Sequence, residues 1–313
     1  MRRLTDMDTI QIEVTNACHL SCSNCTRLCP HIRKPFMVDM DHFKLSIDSM
    51  KGYPKMVGIM GGEPLLHPHF EELCDYALSQ IPRAQLGLWS SLPPGKEHYR
   101  DVIVRTFGNV FFNDHTIEVR HCPILVGAEE VIPDPADMWQ AIDKCWLQEC
   151  WSASVNPKGA FFCEIAASMS MLFDDPDHGG WPIEPGWWKR IPKDYRDQME
   201  KWCPRCGCAL SLSRRKSTDH VDDISPLNLS RLNGNSRRVS AGEYQLHDCK
   251  QLDKPEEMFQ YKNPVFRDKV AYRYGIYTSA TPLQFLEPHL MTTFIKGQEK
   301  KSMFELIKEK YGA

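Results

Sequence analysis

Cys18, Cys22 and Cys25 stand in the run IEVTNACHLSCSNCTR, a Cys-x3-Cys-x2-Cys array that begins where an apolar segment, Thr9 to Val14, ends. Three thiolates on one short loop suffice for three irons of a cubane cluster and leave the fourth iron open to a small molecule. Chemistry on that molecule would take place there. The same loop would make a zinc site given a fourth ligand, which Cys29 or His31 could supply. A second apolar run, Met56 to Met60, leads into Gly61-Gly62-Glu63-Pro64. Adjacent glycines allow backbone to approach a ligand closely, and Glu63 offers a carboxylate to an ammonium group.

On these two segments the chain resembles the radical S-adenosylmethionine (radical SAM) enzymes. The resemblance implies that Cys18, Cys22 and Cys25 hold a [4Fe-4S] cluster, that SAM binds its open iron, and that Gly61, Gly62 and Glu63 form the SAM-binding turn. It implies one-electron cleavage of SAM to methionine and a 5'-deoxyadenosyl radical that removes hydrogen from unactivated carbon. An external one-electron donor such as flavodoxin or ferredoxin is part of that expectation. Where the family often carries a Thr-Asn-Gly-like segment after its third strand, this chain has Leu88-Trp89-Ser90-Ser91, and Ser90 and Ser91 are the candidates for the SAM ribose or carboxylate.

A second group of cysteines, Cys145, Cys150, Cys163, Cys203, Cys206 and Cys208, crowds an irregular, tryptophan-rich stretch. Cys145, Cys163, Cys203 and Cys206 would fully ligate an auxiliary [4Fe-4S] cluster, with Cys150 or Cys208 as substitutes. The arrangement resembles the twitch module of some radical SAM enzymes, a shortened relative of the SPASM domain, with Gly159-x3-Cys163 in place of the usual Gly-x4-Cys. Cys-Pro-Arg-Cys-Gly-Cys is also half of a zinc ribbon. Of the remaining thiols, Cys74 fits the core face of a helix and Cys122 ends a strand directed toward the barrel mouth.

Cys249 stands alone in a polar stretch, Gln245 to Lys250. A radical mechanism gives such a thiol a role. An S–H bond is weaker than an ordinary C–H bond, so it delivers hydrogen to the far face of a carbon radical and inverts the centre. The order of barrel, cysteine-rich module and late lone cysteine resembles the radical SAM epimerases of aminoglycoside biosynthesis, with Cys249 as hydrogen donor. Radical SAM dehydrogenases acting on aminocyclitols share the first two features and give Cys249 no part. A polycationic aminoglycoside calls for carboxylates, and Glu118, Asp219, Asp222 and Asp223 are the candidates.

Positioning this chemistry requires strands that end at the two motifs. Strands are predicted at Thr9 to Val14, Met56 to Met60, Gln85 to Trp89, Val110 to Phe112 and Ile117 to Arg120, with helices at Asp41 to Met50, His69 to Gln80 and Pro135 to Cys145. Alternating strands and helices predict parallel strands with crossovers, and sites at strand C-terminal ends. The expected fold is α/β, a partial TIM-like (β/α)6 radical SAM barrel over residues 1–144. An auxiliary iron-sulfur module follows over 145–212, entered by a hairpin at Asn156-Pro157-Lys158-Gly159, and 213–313 closes the active site.

A chain of 313 residues with net charge −3 offers no basic field for nucleic acid or anionic membrane. That weighs against a third reading, a zinc-stapled binding protein whose tryptophans stack on RNA. No apolar stretch reaches the roughly 18 residues of a membrane span, and no export signal precedes Thr9. The expectation is a cytoplasmic protein whose thirteen cysteines serve metal ligation rather than disulfides.

Overall fold

The computed structural model describes residues 1–112, 119–149, 153–173, 176–177, 179–232, 234–249 and 276–277. Its elements, in chain order, are β1 (Thr9–Thr15), α1 (Met40–Ser49), β2 (Met56–Gly61), α2 (Phe70–Gln80), β3 (Leu86–Ser90), α3 (Arg100–Thr106), β4 (Asn109–Phe112) and β5 (Arg120–His121). Then follow α4 (Ala128–Val131), α5 (Pro135–Asp143), β6 (Ala153–Asn156), β7 (Gly159–Phe161), α6 (Glu164–Leu172) and α7 (Arg196–Trp202). The last are β8 (Arg215–Lys216), β9 (Asp222–Ile224), α8 (Pro226–Leu232), α9 (Arg237–Ser240), β10 (Tyr244–Leu246) and β11 (Ile276–Tyr277).

One seven-stranded sheet, in the order β11-β4-β3-β2-β1-β6-β7, organises the molecule. The run β4-β3-β2-β1-β6 is parallel, while β7 and β11 pair antiparallel to β6 and β4. The fold is therefore mixed α/β with a mostly parallel sheet. The hairpin expected after Cys145 forms as β6–β7, but β6 lies directly beside β1, so this segment extends the main sheet. Of the strand expected at Ile117 to Arg120, only its end is described: Arg120–His121 pairs with β8 outside the main sheet.

Strand periodicity gives the sheet two unlike faces. Ile10, Ile12, Val14, Val57, Ile59, Leu86, Leu88 and Val155 point one way and join a single core with Phe43 and Ile47 of α1, Phe70 and Leu73 of α2, and Ile103 of α3. The register Gln11↔Gly58↔Gly87 and Glu13↔Met60 puts Gln11, Glu13, Gly58, Met60, Gly87 and Trp89 on the other face, with Ser154 of β6 opposite Gln11. The Trp89 indole lies across Gly58, where an added Cβ would come within 2.3 Å of the ring, and stacks on Phe111 at 4.0 Å. An apolar outer face under helices and a polar and aromatic inner face together suit a sheet curved around a site. Among the described residues, no helix is long and apolar enough to cross a membrane.

Candidate active site

The three-cysteine loop leaves the C-terminal end of β1 and meets the turn that ends β2. Gly62 N–H donates to Thr15 O and Glu63 N–H to Ala17 O, both at 2.8 Å. A Cβ at Gly61 would sit 2.0 Å from Thr15 O, and one at Gly62 would sit 2.2 Å from Ala17 O. The glycines are thus required by the chain's own backbone, which presses the turn onto the root of the loop. Glu63 is buried, and its carboxylate accepts from Ser90 Oγ at 2.7 Å, Ser91 N–H at 2.8 Å and Ser91 Oγ at 2.6 Å. Ser90 and Ser91, expected at the ribose or carboxylate of SAM, also brace the glutamate of the turn.

The three thiols lie within electrostatic reach of one another. Burial, with the charges of Cys25 and Glu63 behind it, pushes the Cys18 thiol up to about 12 against the Leu20 N–H. Burial, then the charges of Cys25 and Cys18, push Cys22 up. Cys25 is drawn down to about 7, chiefly by a hydrogen bond from Cys29. Three mutually repelling thiolates on one loop match the donor set of an iron-sulfur cluster, whose metal charge would hold them ionised. His31 has both ring nitrogens engaged, Nδ1 with Ser236 Oγ at 2.7 Å and Nε2 with Asp222 Oδ2 at 2.5 Å. Cys29 remains at hand as a fourth thiol.

On the inner face, two residues past Cys25, Arg27 bridges a pair of carboxylates. Its Nη1 donates to Glu13 Oε1 at 2.7 Å, and its Nη2 donates to Glu164 Oε2 at 3.0 Å and to Met60 Sδ at 2.7 Å. Ser154 Oγ donates to Glu13 as well. The three charged residues are 2–4% exposed. Burial pushes Glu13 up and Glu164 up to about 7, against the pull of Arg27. Glu164 follows Cys163 directly, so the triad ties the first cysteine loop to the second cysteine group. The polar alternation Gln11, Glu13 inside an otherwise apolar strand is its only trace in the sequence.

The second group converges. Cys145, Cys163, Cys203, Cys206 and Cys208 line one apolar pocket, partly open to solvent, with Phe162, Ile165, Met169 and Trp202 among its walls. Cys208 hydrogen-bonds with Cys122, Cys145 and Cys206, which brings in Cys122 as a sixth thiol. Burial holds Cys163 and Cys203 high, reinforced by the neighbouring thiolates. Among the described residues, no three His, Cys, Asp or Glu side chains form a group that could hold a single metal ion. The four expected ligands, Cys145, Cys163, Cys203 and Cys206, are all on the wall of this hollow, and four thiols are the donor set of a fully ligated iron-sulfur cluster. Cys150 and Glu118 lie outside the described residues.

The remaining candidates fall in different places. Asp222 and Asp223 are buried and committed to the first loop: Asp222 accepts from Asn24 N–H and from Arg238, and Asp223 accepts from Asn24 Nδ2 at 2.8 Å and from Arg215. Asp219 is exposed, 3.8 Å from Arg215. Cys249 is half-buried, its thiol 3.6 Å from His247 O, and it borders a second small core that Cys145 and Cys203 also border. Burial, then the charges of Glu130 and Asp248, push this thiol up.

No protein-family model and no curated protein sequence matches the chain. Among solved structures it is similar to BtrN in complex with AdoMet and 2-DOIA, at 14% identity over 64% of this chain and 92% of that one, with a TM-score of 0.42. BtrN in an open conformation gives 14% identity over 67% and 95%, with a TM-score of 0.41. At that distance neither ligands nor activity carry across, and the chemistry has to be argued from this chain's own residues.

Proposed function

We propose that this chain is a radical SAM enzyme, built on an incomplete α/β barrel, that inverts one carbon stereocentre of an aminoglycoside sugar. The observation that carries the cofactor reading is the meeting of Cys18, Cys22 and Cys25 with the braced Glu63 turn at the C-terminal edge of β1 and β2. Two [4Fe-4S] clusters follow, one on those three thiols and one on Cys145, Cys163, Cys203 and Cys206. The order of the motifs resembles neomycin C epimerase, so the reaction is read as of the neomycin C to neomycin B type.

When bound at the first cluster, SAM supplies a 5'-deoxyadenosyl radical that takes one hydrogen atom from a substrate carbon. The chain's own contribution is hydrogen return. At the planar carbon radical, the Cys249 S–H bond breaks as a C–H bond forms on the opposite face. The resulting thiyl is restored by one electron and one proton, the electron coming ultimately from a donor such as flavodoxin or ferredoxin. No base is involved, so the carbon need not be acidic. Asp219 and Glu118 are the carboxylates kept as candidates for the cationic substrate.

The test is anaerobic turnover of neomycin C with SAM and reductant in heavy water. Wild type should place one solvent deuterium in the inverted product, while Cys249→Ala should consume SAM without inversion. A ketone product, formed equally well by Cys249→Ala, would identify an aminocyclitol-type dehydrogenase instead. A protein that binds zinc and does not cleave SAM would be the stapled binding module.

A further inference from the structure

The chain segment that carries Cys249 is fastened to the three-cysteine loop through buried charge. Asp222, in β9, is 1% exposed. Its Oδ1 accepts the N–H of Asn24 and, at 2.8 Å, Nη1–H of Arg238, while its Oδ2 meets His31 Nε2 at 2.5 Å. Arg238, at 1% exposure in α9, also donates to Cys22 O at 3.0 Å and to Ser21 O at 2.9 Å. Asn24 sits between two of the proposed ligands in a left-handed conformation, φ 49°, which Asn tolerates better than most residues but which still needs support. That support is complete: its N–H, Nδ2 and Oδ1 are all taken by Asp222 and Asp223.

The same strand leads to the thiol. β9 pairs residue for residue with β10, Tyr244↔Asp222 through Leu246↔Ile224. His247 N–H then donates to Ile224 O at 2.9 Å, and the Cys249 thiol rests on His247 O. The path from loop to thiol is a ladder of hydrogen bonds. Burying an opposite-charge pair this deeply adds little stability over an apolar pair, because desolvation offsets the attraction. Its advantage is a fixed geometry.

We infer that Asp222 and Arg238 are positioning residues that set the Cys249 thiol relative to the three-cysteine loop, a role that rests on the epimerase reading only for what the thiol delivers. Two measurements test it on Asp222→Asn. In the metal-free protein, hydrogen exchange at Asn24 and at Tyr244 to His247 should quicken at least tenfold together. In the reconstituted, anaerobic protein given neomycin C, inverted product per 5'-deoxyadenosine should fall at least fivefold while iron per chain and the cluster's paramagnetic spectrum stay as in wild type.

A purely structural role would lower SAM cleavage and product in proportion, and that unchanged ratio, or unchanged exchange, overturns the inference. Should Asp222→Asn fail to fold, Asp223→Asn, which grips Asn24 from the same strand, is read by the same two criteria. Cys249→Ala run alongside separates the two claims. If it epimerises like wild type, the hydrogen-donor reading fails, while the exchange measurement still decides whether β9 and β10 are bolted to the loop.

Discussion

Around Cys18 to Cys25, charge and hydrogen bonds grip the backbone: Arg27 anchors one side to Glu13 and Glu164, and Asp222 with Arg238 anchors the other. Around Cys145 to Cys208 the walls are apolar, and Cys208 hydrogen-bonds with the thiols of Cys122, Cys145 and Cys206. The first arrangement gives the loop its shape before any metal arrives. The second leaves a hollow whose shape depends on what fills it. On the proposed function, the first loop presents an open metal corner to an exchangeable ligand and benefits from being preformed, whereas the fully ligated second group can be held by its own bonds.

Removing metal should expose this difference most strongly. Thiolate ligation of a structural metal contributes on the order of 10 kcal/mol to small metal-folded units. Iron chelation should therefore open residues 145–149 and 203–208 to hydrogen exchange and protease, while amides 21–24 keep most of their protection. Equal loosening at both places would break the comparison.

The next largest effect is expected at Arg27. Arg27→Met strands two carboxylates in the interior, and breaking a buried ion pair in this way costs about 3–5 kcal/mol. Denaturant unfolding of the metal-free protein should show that loss. Adding Glu13→Gln and Glu164→Gln to the same chain should recover most of it, because the interior charge is then gone. Failure of the triple variant to recover would mean that the triad acts through shape rather than charge.

Much of this frame is legible in the sequence, and the reasons are local. β1 to β4 and α1, α2 and α5 follow their hydrophobic periods, so their predicted and observed ranges nearly coincide. The cysteine spacing and the Gly61-Gly62-Glu63 turn mark the candidate site because backbone proximity within one loop is written in adjacent residues. What stays hidden depends on contacts across the chain. Asp222 reads as a carboxylate for a cationic substrate, and nothing beside it in the sequence announces His31 and Arg238, 191 and 16 residues away, which hydrogen-bond to it. Cys122 reads as a strand-end thiol until the fold sets it against Cys208. Ser90 and Ser91 stand beside the turn, and their hydrogen bonds to Glu63 join residues of two different strand ends, which no local pattern records.

A smaller effect is expected where glycine lets the loop and turn touch. Gly62→Ala forces a methyl to within 2.2 Å of Ala17 O, and overpacking of this kind costs about 1–3 kcal/mol. Because the turn carries Glu63, the variant should bind SAM more weakly while its iron content stays at the wild-type level. Loss of iron with SAM affinity intact would mean that the glycines serve the cysteine loop alone.

The smallest effect should come from Asp134, which probes the scaffold on the apolar side. Its Oδ1 accepts the N–H groups of Ala136 at 2.8 Å and Asp137 at 3.0 Å, starting α5 with Pro135 in its first turn. Asp134→Ala removes that cap and should lower the unfolding free energy by about 1 kcal/mol. The frayed turn is the one farthest from Cys145, whose N–H is fixed by Ile142 O at 3.0 Å, and Met138 and Ile142 stay buried in the second core. Iron per chain and the cluster spectra should then be unchanged. A selective loss of the auxiliary iron would show that these thiols rely on helix order as much as on their apolar walls, and the contrast with the charge-held loop would narrow accordingly.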